Sequence, residues 1–346
     1  MNLAELKDYR ARQRRALMKN RVLLAVLAVS LCALWVWAGQ GVTPQERSLM
    51  ESVRTAQNYL YERRIASGCE FERQDDPHAT GFIGLEWSPL STTLGALGAK
   101  RTACDPRWSV VIRRWMERLG LQRGDTVAVF SSSSFPGMAF NVLRALESLG
   151  LQPLLVVSLG ASTWGANDPK FSWPVMSREL RSAGFLRTRE FAFTPGGGRE
   201  TGGGLPPEAL ELMSAEAAKD SVPFVVKNSL EEVIQWKMEL IEQFRVKAVI
   251  SIGGSEANMG NAPDILSLRP GLHTSGRGGD GVVGRALERG YPVVHLLNIK
   301  GLAAAEGIPF DSAPGVSFNS VRSVPAACAA LALFVCVLCL YRRWSF

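Results

Sequence analysis

Residues 127–137 read VAVFSSSSFPG, in which a run of β-branched and aromatic residues precedes four serines and a Pro-Gly pair. A short, continuously apolar run of this kind is typical of a strand that is covered on both faces. Apolar residues at helical spacing follow over 138–149. The stretch therefore predicts a strand, a serine-rich turn and a helix, which together form the repeating unit of α/β folds.

The same pattern recurs along the chain. Similar apolar runs occupy 154–157, 248–252 and 293–297, and 222–226 is a weaker fifth candidate. Strands that alternate with helices predict an α/β domain with a mostly parallel, doubly wound sheet. The predicted helices cover 110–119, 138–149, 174–183, 206–219, 230–244 and 282–289.

The α/β pattern extends over 108–322 and is preceded by a different kind of segment. Residues 43–107 combine a helical pattern over 44–66, which we expect to be a juxtamembrane helix, with an irregular polar stretch. The Gly/Pro-rich sequence TPGGGRETGGGLPP occupies 194–207. We expect it either to divide two lobes or to form a flexible loop at the edge of a cleft.

Charge is distributed unevenly along the chain. The 346 residues include 39 basic and 32 acidic ones, a net charge of +7. Residues 1–21 hold seven basic and two acidic residues, and 342–346 hold two arginines. The segment between these ends is neutral, which argues against a nucleic-acid-binding domain with a basic face.

Two apolar segments lie beside the basic ends. The stretches 22–38 and 323–341 carry no charged residue, and their lengths approach the roughly 20 residues that span a bilayer. Since positive flanks stay in the cytoplasm, we expect transmembrane helices at 22–42 and 323–341, cytoplasmic tails at 1–21 and 342–346, and an extracytoplasmic domain between them. A cleaved signal peptide is the alternative for the first segment.

Four of the six cysteines lie in the two apolar segments, which leaves Cys69 and Cys104 in the domain. Outside the cytoplasm such a pair is a candidate for a disulfide, and two separate buried thiols are the alternative. The predicted domain has three histidines and no Cys-x-x-Cys pair, and the one such pair in the sequence, Cys336 with Cys339, lies in the second apolar segment. We therefore predict no metal site and no cofactor.

Small and hydroxyl-bearing residues follow each predicted strand. In open α/β sheets, ligands bind beyond the carboxyl ends of the strands, where loops meet helix N-termini that favour anions. We therefore expect a cleft that binds a carboxylate- or phosphate-bearing group. The candidate ligand-binding residues in these turns are Ser131, Ser134, Ser162, Asn167, Gly253, Gly254, Ser255 and Asn258.

The serine run also supplies candidate nucleophiles, Ser132 and Ser133, because hydrolases expose a serine on a strand-to-helix turn. His295, with an acid such as Asp264 or Asp280, would complete a catalytic triad. The chain lacks a Gly-x-Ser-x-Gly motif. The alternatives are a helix cap or ligand-binding turn for the serines and a packed core position for His295.

The polar stretch GLEWSPLSTTLGALGAKRT at 84–102 has neither a helical nor a strand period. Glu86 is a candidate catalytic carboxylate, and Lys100 with Arg101 is a candidate anion-binding pair. The alternative is a salt bridge that fixes the loop on the sheet. Long loops in compact domains are more often functional than not.

Four stretches resemble the poly-γ-glutamate system protein family. They are the stretch 84–102 quoted above, 124–139 with its Ser-Phe-Pro, SLGASTWGANDP at 158–169 and SIGGSEANMG at 251–260. One departure is that the family usually has a glycine in the serine turn, where this chain has Ser132 or Ser133. The resemblance implies a bacterial protein that is anchored in the inner membrane and associated with the synthesis and export of poly-γ-glutamate, and it supplies no catalytic residues.

These observations predict a non-catalytic accessory subunit of a poly-γ-glutamate synthesis and export system. We expect it to bind the polymer end or partner proteins of that system and to contact membrane lipid but not nucleic acid. One alternative is a hydrolase or transferase that acts on the γ-glutamyl polymer through the serine turn. Another is a nucleotide- or sugar-binding sensor built on the Gly253 turn.

Overall fold

The chain forms two compact units. The first contains the described residues up to position 43 together with a helix at 328–337, and the second contains those from 44 to 315. The computed structural model describes residues 3–39, 42–69, 71–315 and 328–337.

The first unit contradicts the predicted membrane topology. Its helix α1 (Leu3–Gly39) joins the basic tail and the first apolar segment. No helix among the described residues is long and apolar enough to cross a membrane. The apolar stretch 22–38 has 17 residues, at the short end of the roughly 17–25 that span a bilayer.

The prediction of a two-span inner-membrane protein, with transmembrane helices at 22–42 and 323–341, is therefore wrong. The placement of the domain outside the cytoplasm loses its basis with it. Residues 323–327 and 338–346, which include the predicted C-terminal tail, lie outside the described residues.

The second unit confirms the α/β prediction with a mixed, mostly parallel sheet. Its strands are β1 (Ser91–Thr93), β2 (Thr126–Ser132), β3 (Gln152–Ser158), β4 (Ala161–Ser162), β5 (Glu190–Thr194), β6 (Ala248–Ile252), β7 (Gly271–His273) and β8 (Val293–Leu296). Six of them form one sheet in the order β5-β3-β2-β6-β8-β7. Only β7, at the edge, is antiparallel to its neighbour.

The four main predicted strands are confirmed as β2, β3, β6 and β8. The weaker candidate at 222–226 is not a strand, because within it only Phe224 pairs, through an isolated bridge to Phe193 of β5. The sheet also contains β5 and β7, which the sequence pattern did not indicate.

The predicted helices are confirmed within three residues of their ends. Prolines lie in the first turn of several of them, where the missing N–H has no intrahelical partner to lose. The helices are α2 (Pro44–Ala66), α3 (Leu97–Ala103), α4 (Arg107–Arg118), α5 (Pro136–Leu149), α6 (Trp173–Ser182), α7 (Pro207–Lys219), α8 (Leu230–Gln243), α9 (Glu256–Met259), α10 (Val282–Glu288) and α11 (Ile299–Glu306).

Both faces of the sheet are covered, because all residues of β6 and residues 127–132 of β2 are buried. On one face, Ala128 and Phe130 pack with apolar residues of α8 and α10. Helix α2 contacts α4, α5 and α6. The segment before residue 108 is thus part of the domain core rather than a separate arm.

The expected disulfide is not formed, since Cys69 and Cys104 are both free thiols. Cys104 is buried, its Sγ donates to the Lys100 carbonyl at 3.3 Å, and burial raises its pKa. Cys69 is only partly buried and lies near Asp168 and Arg64. The two thiols therefore occupy separate environments, and of the two buried thiols that the alternative expected only Cys104 is buried.

His295 should make the fold acid-sensitive. It is buried in β8 with Nδ1 lacking a hydrogen-bond partner, and burial, aided by repulsion from His273, lowers its pKa to about 4. Because the unfolded chain takes up this proton near pH 6.5, folding stability falls as the pH drops from there towards 4. The free energy of unfolding, measured with urea, should fall between pH 7 and pH 4.5. We expect this fall to be smaller by about 2–3 kcal/mol in His295→Gln than in the native protein. His78→Gln, at a less buried histidine, is the control, and an unchanged pH slope in His295→Gln would contradict the assignment.

Candidate functional site

A cleft of about 580 Å³ lies at the carboxyl ends of the central strands. All four stretches that resemble the poly-γ-glutamate system family contribute to its lining, and the glycine-rich loop at 194–207 forms a further wall. Residues from each of the five segments, in chain order, are Lys100, Ser134, Ser162, Gly197 and Ser255.

Strand pairing and a close backbone contact hold the irregular stretch 84–102 against the segment that contains β4. Its strand β1 pairs in parallel with β4, and this places Thr93 beside Ser162. Gly84 approaches the backbone so closely that a Cβ there would lie 1.8 Å from the Gly165 carbonyl oxygen. A side chain at this position would force the stretch 84–102 away from the segment that follows β4.

Lys100 is the central polar group of the cleft. It extends from α3, is only 3% exposed, and donates from Nζ to the Ser134 carbonyl at 2.5 Å and to Ser162 Oγ at 2.6 Å. The ring centroid of Phe135 lies 3.8 Å from the same nitrogen. Burial lowers the pKa of Lys100 to about 7, so that a large fraction of the amine is neutral near physiological pH.

A neutral amine changes the chemistry of this contact. It keeps N–H groups to donate to the Ser134 carbonyl and gains a lone pair that can accept the hydroxyl proton of Ser162. Gly95 lies alongside, where a Cβ would be 3.0 Å from Ser162 Oγ and 3.1 Å from Lys100 Cε. The absence of a side chain at Gly95 therefore leaves space beside Ser162 Oγ and the end of the Lys100 side chain.

The serine turn positions this pair. Ser134 Oγ accepts the Ser162 N–H at 2.9 Å and the Ser132 hydroxyl at 2.8 Å. Ser132 and Ser134 line the cleft. Ser131 donates to the carbonyl of Ser132 at 3.3 Å, while the buried Ser133 hydroxyl has no partner. Neither of these two residues contributes to the lining.

A buried ion pair supports the wall that the glycine-rich loop forms, and its acidic member, Glu200, lines the cleft. Glu200 accepts from Lys237 Nζ at 2.6 Å and from Thr194 Oγ1 at 2.9 Å, and its other oxygen accepts from Ser255 Oγ. Lys237 also donates to Asn258 at 3.1 Å. Glu200 and Lys237 are 2% and 3% exposed. Burial lowers the pKa of Lys237, and the carboxylate of Glu200 opposes that shift.

The same ion pair holds the glycine-rich loop. Arg199 and Glu200 both have left-handed backbones, with φ of 58° and 56°, a conformation that costs free energy in residues other than glycine. The Arg199 N–H donates to Glu256 at 2.8 Å. The loop therefore belongs to the wall of the cleft and does not divide two lobes.

Three sequence candidates lie elsewhere. Arg101 donates to the carbonyls of Gln74 and Asp75 and pairs with Asp311, so it fixes a loop. Glu86 is exposed and is not part of the cleft lining. His295 lies inside β8, opposite Ser251 of β6. The structure therefore does not assemble the predicted Ser-His-acid triad at the serine turn.

The two candidate asparagines are structural. Asn167 donates to the Leu85 carbonyl at 2.9 Å and accepts the Leu85 N–H at 2.8 Å. Asn258 Nδ2 donates to the Phe130 carbonyl at 3.1 Å. Gly253 makes the turn after β6 with φ of 84°, whereas Gly254 and Ser255 line the cleft as expected.

Sequence reasoning missed Glu200, Lys237 and the pairing of Lys100 with Ser162. Glu200 is an acidic residue inside a glycine-rich stretch that had already been assigned to a possible cleft edge, and that was its only signal. Lys237 lies on a helix with ordinary amphipathic spacing, and nothing in its local sequence marks it as buried.

Comparison of the chain with protein-family models, curated proteins and solved structures finds no match. The family resemblance therefore stays a prediction. The features of the chain that bear on its function are the geometry of the cleft and the presence of all four resembling stretches in its lining.

Breaking the Lys237–Glu200 pair should destabilise the domain. Lys237→Met leaves the carboxylate of Glu200 buried without a cation, which costs about 3–5 kcal/mol. Adding Glu200→Gln removes the uncompensated charge, and we expect the double variant to regain part of that loss. Urea unfolding measures both, with the exposed Lys219→Met as a control. A cost below about 1 kcal/mol for Lys237→Met would show that the pair does not support the fold.

Proposed function

We propose that the cleft catalyses acyl transfer or hydrolysis at an amide bond, with Ser162 as the nucleophile and Lys100 as its general base. The observation that carries this proposal is the 2.6 Å contact between Lys100 Nζ and Ser162 Oγ at the wall of the cleft. A serine needs an adjacent base to become nucleophilic, and a buried lysine with a lowered pKa can serve as one.

In the proposed reaction, Ser162 Oγ attacks the carbonyl carbon while its proton passes to the neutral amine of Lys100. The resulting ammonium gives that proton to the leaving nitrogen as the C–N bond breaks, and an acyl-serine remains. Water or an acceptor amine then attacks the acyl carbon and transfers a proton to Lys100. Lys100 returns it to Ser162 Oγ as the product leaves.

The substrate that we propose is the γ-glutamyl amide of poly-γ-glutamate. Support comes from the placement of the four stretches that resemble the poly-γ-glutamate system family, since every one of them lines this cleft. On this proposal the serine turn is a positioning element. Ser134 holds Ser162 through its hydroxyl and Lys100 through its carbonyl, and Ser132 and Ser133 are not nucleophiles.

A second candidate is recognition without chemistry, in which the protein is an accessory subunit that binds the polymer end. The Phe135 ring, 3.8 Å from Lys100 Nζ, favours this candidate, because a cation–π contact stabilises the ammonium form. An ammonium in the cleft would bind a carboxylate of the polymer instead of accepting a proton from Ser162.

The acyl-transfer proposal predicts a specific effect of substitutions at the pair. Ser162→Ala and Lys100→Met should each lower the rate of poly-γ-glutamate cleavage, followed by size-exclusion chromatography, by at least about a hundredfold. Ser132→Ala, which alters a cleft serine that does not contact Lys100, should retain most of the rate. A serine-reactive fluorophosphonate should add its mass at Ser162. Labelling at Ser132 with Ser162 unmodified, or equal rates in all variants, would contradict the proposal.

The direction of the pH dependence separates the two candidates. If Lys100 is a base, only its neutral form is active, so the rate should rise as the pH increases through about 7. If Lys100 binds a carboxylate, its ammonium is the active form, and the affinity for oligo-γ-glutamate should fall over the same range. In that case Lys100→Arg keeps the binding and Lys100→Met loses it, with no cleavage by the native protein at any pH.

A further inference from the structure

A second concave surface of about 550 Å³ lies at the opposite end of the sheet from the cleft. It is bounded by Gln152, the first residue of β3, and by the turn at Gly124, whose N–H donates to the Gly150 carbonyl at 2.9 Å. Strand β2 has seven residues, so the two sites are separated by about 20 Å. A ligand at one site would not touch the other.

Three arginines, Arg123, Arg187 and Arg189, line this surface, which we call the arginine groove. All three are exposed. Within the described part of the chain, Arg123 and Arg189 have no ion-pair partner. The groove therefore presents guanidinium groups whose donors are available to a ligand.

The one acidic residue in the lining, Glu147, does not cancel this charge. Its Oε1 accepts from the Arg187 N–H and from the Thr188 N–H and hydroxyl, each at 2.8 Å. Its Oε2 accepts from Arg144, outside the groove, at 3.0 Å. Glu147 is buried and its oxygens are already satisfied, so it anchors the groove wall instead of repelling an anion.

Contacts with backbone atoms orient two of the arginines, through a hydrogen bond for Arg187 and through packing on a glycine for Arg123. Arg187 Nη2 donates to the Glu147 carbonyl at 3.1 Å, and its Nε lies 3.9 Å from Glu147 Oε2. The stem of Arg123 lies across Gly150, where a Cβ would meet Arg123 Cγ at 2.9 Å. Gly150 has φ of 69°, so a substitution there would be strained and would also displace Arg123.

We propose that the arginine groove binds a ligand that carries two or more carboxylate or phosphate groups. Guanidinium groups match the oxygen pairs of both groups and bind them through two parallel hydrogen bonds. Three arginines from two separate loops favour several anionic groups on one molecule over a single ion. This site is independent of the Ser162–Lys100 pair.

Isothermal titration of the full-length chain at low ionic strength tests the proposal, with tricarballylate and pyrophosphate as multivalent probes and acetate as the monovalent one. We expect one tricarballylate or pyrophosphate per chain and at least tenfold weaker binding of acetate. Arg123→Gln and Arg189→Gln should each weaken the multivalent probe about tenfold, as expected for loss of a charge-assisted contact. Tighter binding of tricarballylate would identify a carboxylate ligand and tighter binding of pyrophosphate a phosphate ligand, and either result supports the groove.

Two controls make the test specific. Arg269→Gln removes an exposed arginine outside the groove, so this variant should bind the probes as the native protein does. Since Arg123 and Arg189 are exposed, their variants should also keep the native melting temperature within about 2 °C. Unchanged affinity in the Arg123→Gln/Arg189→Gln double variant, equal loss in Arg269→Gln, or acetate binding as tight as that of tricarballylate would overturn the proposal.

Discussion

Burial of the Lys100 amine is the constraint on which the rest of the cleft depends. Its nitrogen donates to the Ser134 carbonyl and to the Ser162 hydroxyl, so Lys100 and its two partners join three different segments of the chain. A buried amine without partners would cost several kcal/mol. The stretch 84–102, the serine turn and β4 must therefore come together, and the close approach of Gly84 to Gly165 allows them to do so.

The periodic parts of the fold could be predicted from the sequence, because hydrophobic spacing reports burial directly. The four central strands and seven helices follow from it. Strand β5, with the sequence EFAFT, was missed because a charged residue interrupts its apolar run. Strand β7 was missed because its three residues are too few to show a periodic pattern. The membrane prediction was wrong: it inferred spans from two apolar runs, and no helix in the described part of the chain is long and apolar enough to cross a membrane.

The cleft was predicted in its location but not in its chemistry. Turns after parallel strands meet at one edge of a sheet, so Ser134, Ser162 and Ser255 were expected to lie near one another. The contact between Lys100 and Ser162 spans 62 positions, and no local pattern encodes it. Likewise, the partner of Glu200 is Lys237 on another element, and such long-range pairs become visible only when the fold is known.

The net charge of the chain does not describe the charge at either of its two concave sites. The neutral middle segment argued against a long basic groove, and the cleft agrees, since Lys100 is the single basic residue in its lining while Glu200 and Glu256 are acidic. At the other end of the sheet, three arginines gather around one satisfied carboxylate. The middle segment is neutral as a whole, yet it contains a cleft with more acidic than basic residues in its lining and a groove with more basic than acidic ones.

The proposed role of Lys100 as a base depends on its protonation, which an NMR titration of the full-length chain measures directly. The chain would be labelled with ¹³C-lysine, and the Cε resonance of Lys100 would be assigned by its loss in Lys100→Arg. If burial lowers the pKa of Lys100 as described, the titration midpoint lies near 7. A midpoint near 10.4, the value of a solvent-exposed lysine, would show that the amine is neither desolvated nor available as a base for Ser162, and would contradict the account.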